Sequence, residues 1–406
     1  MNAPLLALAA RNVLRNRRRS MLTAGAVLVG VMAAVTLRGV ANGYLRGMRE
    51  MMVRSNVGVV QVHARGFAGA DKPPVELDLP ATPEFLAKMA AVPGVDAVAP
   101  RLVFEGMLNN GTASTMVQVT AVSPAAEFRV TPERFSGGRA SSPLVEGDAG
   151  KALLGSTLAD ALGAKDGASL TLLTSTRAGA SNALDLTMKG RFTTPNPLET
   201  KRTLTLTLDH AQELTGLPDR ANEIAIGVRE IDDADDVKAR LQAALGGDYE
   251  VVTWRERLPI FGEVFELIGS IFAIVYVVLF VLVLSGILNT MLMSVYERVR
   301  EIGTMMAVGT RRRRVLQMFL VESALLGGGG GLAGATVGLV LVTVMNVRGI
   351  DFTPPGGTAT IHFRPFIAPG YVALSLGIAV VGAVLAALLP ALRASRLSPV
   401  EALRSV

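Results

Sequence analysis

Cysteine is absent from the 406 residues. That excludes a disulfide scaffold, thiolate zinc sites and a cysteine nucleophile. Charge is also scarce: Asp, Glu, Lys and Arg make up 18% of the chain, against roughly a quarter in an ordinary soluble domain. The three histidines, His63, His210 and His362, lie far apart and show no metal-ligand spacing. No Gly-x-Ser-x-Gly, His-Glu-x-x-His or Gly-x-x-x-x-Gly-Lys-Ser/Thr pattern occurs. No catalytic constellation and no metal site are expected, so the chain is not read as an enzyme by itself. What is abundant is apolar surface, 50% hydrophobic residues with mean hydropathy +0.42, which excludes intrinsic disorder.

The net charge of +6 and the pI near 9.8 are unevenly spread. From Leu45 to Glu266 there are 23 Lys/Arg against 29 Asp/Glu; the remainder holds 17 against 5. A mildly acidic block is thus inserted into a basic, apolar frame. A nucleic-acid binder would carry its basic face on a folded domain, whereas here the excess flanks hydrophobic runs. Nucleic acid is therefore not expected as a partner.

Four runs are long enough to cross a bilayer, which takes about 20 residues. They are 21–43, 267–295, 315–347 and 365–392, with Arg38 and Glu322 their only charges. Arg11, Arg15, Arg17, Arg18 and Arg19 precede the first run. Six arginines fall between the second and third, and Arg393, Arg396 and Arg404 follow the fourth. The positive-inside rule then puts residues 1–20, 296–314 and 393–406 in the cytoplasm. The 44–266 insert and the 348–364 loop lie outside. The first run exceeds a signal-peptide core and is expected to remain as an anchor.

The insert alternates strand and helix signals. Val57–Val62 reads as a strand and Pro83–Ala91 as a helix capped by Thr82. Val95–Leu108 and Thr115–Val122 around Asn109-Asn110-Gly111 read as a hairpin. Gly155–Leu162 and Asp209–Leu214 look helical, while Leu170–Leu173, Leu204–Leu208, Glu223–Val228 and Val251–Thr253 look extended. Asp232–Leu245 is an amphipathic helix whose opening aspartates suit the helix dipole better than calcium. The fold class is therefore a membrane protein: four transmembrane α-helices, with a large α+β extracytoplasmic domain between spans 1 and 2. Residues 44–54 and 254–266 are helix-compatible and are expected to prolong those spans as a stalk.

Charge spacing in Glu297-Arg298-Val299-Arg300-Glu301 predicts a short cytoplasmic helix, with Gly303 and Gly309 breaking it at either end. A basic loop that merely enforces topology would look similar. Gly330, Gly334 and Gly338 recur every four residues, a ridge that permits close helix contact, whether sliding or static. Glu322 sits about two turns into the third span and could pair with an arginine. Arg38, near the outer end of the first span, could line a substrate cavity, but snorkelling to the outer headgroups is the expectation.

The run Glu297, Arg298, Arg300, Glu301, Ile302, Gly303, Ala307, Gly309, Phe319, Leu320, Glu322, Gly327 resembles the FtsX-like permease domain of ABC transporters. The tail Pro390–Arg404 and the start Ala10–Thr23 are similar to that family's terminal signatures. The resemblance implies a MacB-type periplasmic core domain in the insert. It also implies a second permease subunit, identical or paralogous, and a cytoplasmic ABC ATPase dimer seated on the coupling helix Glu297–Gly309. ATP and magnesium would then belong to the ATPase, with no cofactor in this chain. A separate ATPase chain resembles the layout of lipoprotein-releasing permeases. The expectation is a bacterial inner-membrane subunit that releases lipoproteins to a periplasmic carrier or adaptor. MacB-type export of peptides or drugs, and FtsX-like signalling to a cell-wall hydrolase, are the alternatives. Thr193–Arg202 is a guess for a protruding carrier-binding hook.

Overall fold

The computed structural model describes residues 11, 15, 17–67, 73–132, 134, 141–194, 197–353 and 360–396. The chain forms two compact units. The first comprises Met1–Arg46, Phe265–Ile350 and Phe363–Val406; the second comprises Gly47–Val264 and Asp351–His362.

The first unit holds helices long and apolar enough to cross a membrane, four among the described residues. They run Arg17–Met52, Pro259–Glu297, Arg312–Arg348 and Pro369–Ser395. We call them the first to fourth membrane helices. Three of them outrun the apolar stretches of the sequence, because the flanking charged turns still satisfy their backbone groups helically. The fourth starts later than its apolar run. Residues 365–368 precede it as a non-helical segment, where the Phe366 amide donates to Gly39 O at 3.2 Å and Asn346 donates to Pro365 O at 2.8 Å.

The third membrane helix touches two neighbours through glycine. A Cβ on Gly330 would lie 2.5 Å from the Ala24 carbonyl oxygen, and one on Gly334 would lie 2.4 Å from that of Leu28. At Gly338 it would meet Val35 at 2.9 Å. This ridge faces the backbone of the first membrane helix. Gly327, on another side, would place a Cβ 2.5 Å from the Ala383 side chain of the fourth. Between the ridges, Val27, Val31 and Val35 pack with Ile287, Leu326 and Ala383. Dispersion at backbone contact distance substitutes here for a hydrophobic drive, which lipid cannot supply between helices.

The second unit is built on a nine-stranded sheet. Its strands are β1 (Val60–Ala64), β2 (Leu79–Pro80), β3 (Val95–Asn109), β4 (Ser114–Val122), β5 (Lys151–Gly155) and β6 (Ser169–Ser175). They continue with β7 (Ser181–Phe192), β8 (Thr203–Thr207), β9 (Arg220–Ala221), β10 (Glu223–Val228) and β11 (Tyr249–Thr253). The order is β11-β1-β10-β3-β4-β8-β5-β7-β6, and β2 pairs separately with β9. The 15-residue β3 is the hinge of the topology. Its first half pairs with β10, while Met107–Asn109 pair with Leu173–Thr171 of β6. Strands β3 to β8, in the circuit β3-β4-β8-β5-β7-β6-β3, therefore close on themselves. Closure removes the edges that an open sheet would expose. Leu102, Phe104, Leu154, Leu170, Leu186 and Leu204 fill the interior. The other lobe, β11-β1-β10-β3, carries helix Ala234–Leu245, which buries Val237, Leu241 and Leu245.

Several expected elements occur with shifted ends. Val57–Val62 becomes a π-helical turn Val53–Val57 followed by β1, with Gly58 at φ +76 between them. A side chain at Gly58 would be strained in that conformation. The stalk before the second membrane helix is broken at Leu258, so Trp254–Arg257 forms its own short helix. Strands β5 and β7, and the pair Ile350–Phe352 with Ile361–Phe363, had no expectation attached. The calcium alternative for Asp232–Asp236 meets ion pairs instead: Arg49 lies 3.5 Å from Asp232 and Arg255 lies 2.9 Å from Asp235. The hook guess also changes. Thr194 and Thr200 are buried and bonded to each other at 3.1 Å, whereas Lys201 and Arg202 are exposed, so only part of Thr193–Arg202 stands outward. Residues 195–196 of that stretch lie outside the described residues.

Two predictions follow from this packing. Gly334→Leu should lower the thermal midpoint of the detergent-solubilised protein by several degrees, because overpacking costs about 1–3 kcal/mol. Gly329→Ala, where nothing lies within 4 Å, should leave it unchanged; equal shifts would disprove the ridge. Asp148 supplies a pH test. Burial would raise its carboxyl, but Lys189, Lys151 and the Val145 amide together hold it down, from 3.8 to about 2. The depressed value stabilises the folded state above pH about 4, and that contribution fades as pH falls toward 2. Asp148→Asn should therefore cost about 1–2 kcal/mol at pH 7 and almost nothing at pH 2, read by urea melts at both pH values.

Candidate functional site

Residues 297–310 form the first candidate. The helix runs Val299–Ala307. Arg298 precedes it with non-helical φ −110, ψ 15, and breaks it from the second membrane helix. Gly303 does not break the helix, as the sequence suggested, but lies inside it and buried. Gly309, at φ +99, does end it, donating to Met306 O at 3.1 Å.

The motif residues divide between two faces. Arg298, Ile302 and Gly303 turn inward. Ile302 is fully buried and packs with Val295, Val315, Phe319, Ala391 and Ala394 from the second, third and fourth membrane helices. Glu297, Arg300, Glu301, Ala307 and Gly309 are exposed. Beside them Val308, a large apolar side chain, is 85% exposed. The helix is therefore anchored by one face and exposed along the other.

A line of charges fixes the anchor. Arg298 Nη1 donates to Glu322 at 3.3 Å, and Arg298 Nε donates to Glu301 at 3.2 Å. Glu301 also pairs with Arg15. Arg298 and Glu322 are each only about 8% exposed, while Glu301 and Arg15 are half open to solvent. Glu322 thus does pair with an arginine. Burial would raise the Glu301 carboxyl, but hydrogen bonds from Arg298 and Arg15 hold it below the usual carboxylate range. The chain Arg15–Glu301–Arg298–Glu322 links the N-terminal segment, the loop helix and the third membrane helix. Most of residues 1–16 and all of 397–406 lie outside the described residues, including parts of both terminal signatures.

The second candidate is an apolar groove of about 770 Å³ among the first, second and fourth membrane helices. Gly30, Ala34, Phe280, Leu284, Tyr371 and Gly382 line it. Arg38 stands beside it: its guanidinium lies 5.0 Å from the Tyr371 ring and 6.0 Å from the Tyr276 ring. Both rings belong to the groove. Hydropathy gives the depth of an arginine in a span but not its rotation about the helix axis, and rotation decides this contact. A cation over aromatic faces beside an apolar wall suits an amphipathic molecule.

Removing Arg298 should take from the buried Glu322 the guanidinium it faces, at a cost of about 3–5 kcal/mol. Arg298→Met is expected to unfold far earlier on heating than the parent. Arg298→Met with Glu322→Leu should recover most of the loss. A double variant as unstable as the single one would refute the pair.

Comparison with known proteins adds two family matches. Residues 20–244 match the MacB-like periplasmic core domain, and residues 273–399 match the FtsX-like permease C-terminal family. A Hyphomonas neptunium protein named macrolide export ATP-binding/permease protein MacB is 39% identical over 120 residues, 30% of this chain and 17% of that one. Its Agrobacterium fabrum namesake is 24% identical over 416 residues, 98% of this chain and 60% of that one. The chain therefore spans at most about 60% of these two relatives' length. The crystal structure of the periplasmic region of MacB from Actinobacillus actinomycetemcomitans superposes with TM-score 0.35 and 11% identity, covering 51% of this chain and 94% of that one.

Proposed function

The chain belongs to the MacB-type, FtsX-like permease family of ABC transporters, and from that premise we propose that it couples an ATPase to export from the outer face of the bacterial inner membrane. The loop helix Val299–Ala307 is the coupling element. The observation that carries this is its division into a buried anchor, Arg298 with Ile302, and an exposed face ending in Val308. A dimer of ATPase subunits, which bind ATP and magnesium, docks on that face. The loop helix and both termini are cytoplasmic, and a second permease subunit completes the assembly. Closure of the ATPases pushes the anchored helix as a rigid lever. The motion reaches the second unit along the first and second membrane helices, and the extracytoplasmic domain drives cargo toward a periplasmic adaptor.

The cargo is an apolar or amphipathic molecule of the drug or peptide kind. The names of the matched relatives, which are macrolide exporters, favour this over lipoprotein release. Lipoprotein release is the second reading, supported by the groove of about 770 Å³ with Arg38 at its aromatic side. Acyl chains would lie along its wall. A strain lacking the chain should become more susceptible to macrolides while sorting outer-membrane lipoproteins normally. The opposite pair of results would favour the second reading.

Glu301→Lys reverses the charge that Arg298 and Arg15 share. It should reduce transport-coupled ATPase activity at least tenfold in reconstituted membranes while the protein inserts normally. Full coupling in that variant would remove the loop helix from the mechanism.

A further inference from the structure

A second cavity lies wholly inside the second unit, and nothing in the transport reading uses it. It measures about 330 Å³ and is lined mostly by polar groups of β1, β3, β4, β8 and β10 and the segments beside them. Its floor is a buried charge cluster. Arg101 donates twice to Glu127, at 2.9 and 2.7 Å, and once to Glu223 at 2.8 Å. Arg134 lies 3.5 Å from Glu127, and Gln61 donates to Glu223 at 3.2 Å. Glu199 accepts from Asn56 at 2.7 Å. Burial would lower the Arg101 guanidinium, but Glu127 and Glu223 raise it. At Arg134 burial prevails and lowers the guanidinium against the pull of Glu127, but an arginine keeps its proton in a protein, and the acids of the floor are already engaged.

The rim is different. Arg202 and Arg257 also line the cavity, and neither makes a hydrogen bond or an ion pair among the described residues. Arg257 is half-buried, with its guanidinium 6.0 Å from the Phe67 ring. The cavity lining thus gathers four guanidinium groups against two carboxylates, Glu199 and Glu223, and these, with Glu127 behind the lining, act on the inner pair. Two cations without counter-ions at one polar opening repel each other until an anion binds. Arginine forks match the oxygens of a phosphate group in number and geometry. Gln118, Thr120 and Thr203 add neutral donors in the same lining. The volume stands at the small end of ligand pockets, about 300 to 1,000 Å³, so a drug-sized cargo would not fit.

We propose that this cavity binds a phosphate group, held between Arg202 and Arg257 above the Arg101 cluster. Arg257 stands two residues before the second membrane helix, and Asn56 stands four residues after the end of the first. Occupancy would tie the point where the chain leaves the domain to helix Pro197–Arg202, and so regulate the domain from its own interior. The site is independent of the identity of the cargo.

The phosphate could be that of a soluble solute or of a lipid headgroup, and one experiment separates them. Trp254 is the sole tryptophan, buried one helical turn from Arg257, so its fluorescence reports on the cavity. The full chain is placed in phosphatidylcholine nanodiscs and titrated with inorganic phosphate against chloride at equal ionic strength. A parallel sample carries phosphatidylglycerol in the nanodisc instead. A saturable change with phosphate assigns a soluble source, and a change only with phosphatidylglycerol assigns the lipid. Either response should weaken at least tenfold in R202Q/R257Q, with thermal melts confirming that the variant is folded. If the double variant does not fold, R202Q alone, at an exposed position, should still weaken the response several-fold. No response to either probe, or an undiminished response in the variants, overturns the proposal.

Discussion

The buried pair of Arg298 and Glu322 ties a solvent-facing loop to the interior of a helical bundle. A guanidinium without its carboxylate would be costly at this depth, and so would the carboxylate alone. The pair therefore holds the start of the loop helix in one place relative to the third membrane helix. Ile302 completes the attachment with apolar contacts to three membrane helices. Without that attachment, an exposed face bearing Glu297, Arg300 and Val308 would be a flexible loop. With it, a force applied to the face is delivered to the bundle.

The bundle can receive such a force because of how its helices meet. The third membrane helix approaches the first at backbone distance through Gly330, Gly334 and Gly338, and the fourth through Gly327. Smooth glycine surfaces lack the interlocking side chains that would hold a fixed register, yet they gain dispersion along their whole length. The second unit uses an opposite strategy. Its six-stranded ring is closed by backbone hydrogen bonds and filled with leucine, and its Arg101–Glu127–Glu223 cluster fixes β3 and β10 to helix Pro124–Val130. Such a body transmits displacement better than it absorbs it.

Much of the membrane unit was legible in the sequence, because a bilayer imposes length and hydropathy on a span and charge on its flanks. The motif around Glu297 gave the position of the loop helix for a similar reason: turn-spaced charges and Gly309 are local signals. What could not be read was anything set by rotation or by long-range pairing. Arg298 and Arg300 look alike in sequence, yet only Arg298 turns inward. Arg38 faces two tyrosines that lie 238 and 333 residues away. Gly303 could as well have ended a helix as lain within one. The closure of β3 onto β6 depends on a register between segments some 65 residues apart. Strand β7 was missed although Leu184, Leu186, Met188 and Phe192 alternate with Asp185, Thr187, Lys189 and Arg191, a period-2 signal that could have found it.

The polar cavity of the second unit carries that point further. Its four arginines, at positions 101, 134, 202 and 257, share no motif and no spacing. The ring and the other lobe together bring them to one place: β3 supplies Arg101, the end of a helix beside β8 supplies Arg202, and the short helix after β11 supplies Arg257. Buried arginines that serve only stability are expected to be fully matched by acids, since each unmatched charge raises the cost of folding. Arg101 obeys that rule with three hydrogen bonds to two glutamates. Arg202 is exposed and Arg257 half-buried, so water can solvate both and folding does not require an acid beside either. What marks them is convergence: two guanidinium groups without an acid partner among the described residues line one polar opening, where an anion from outside the chain can bridge them.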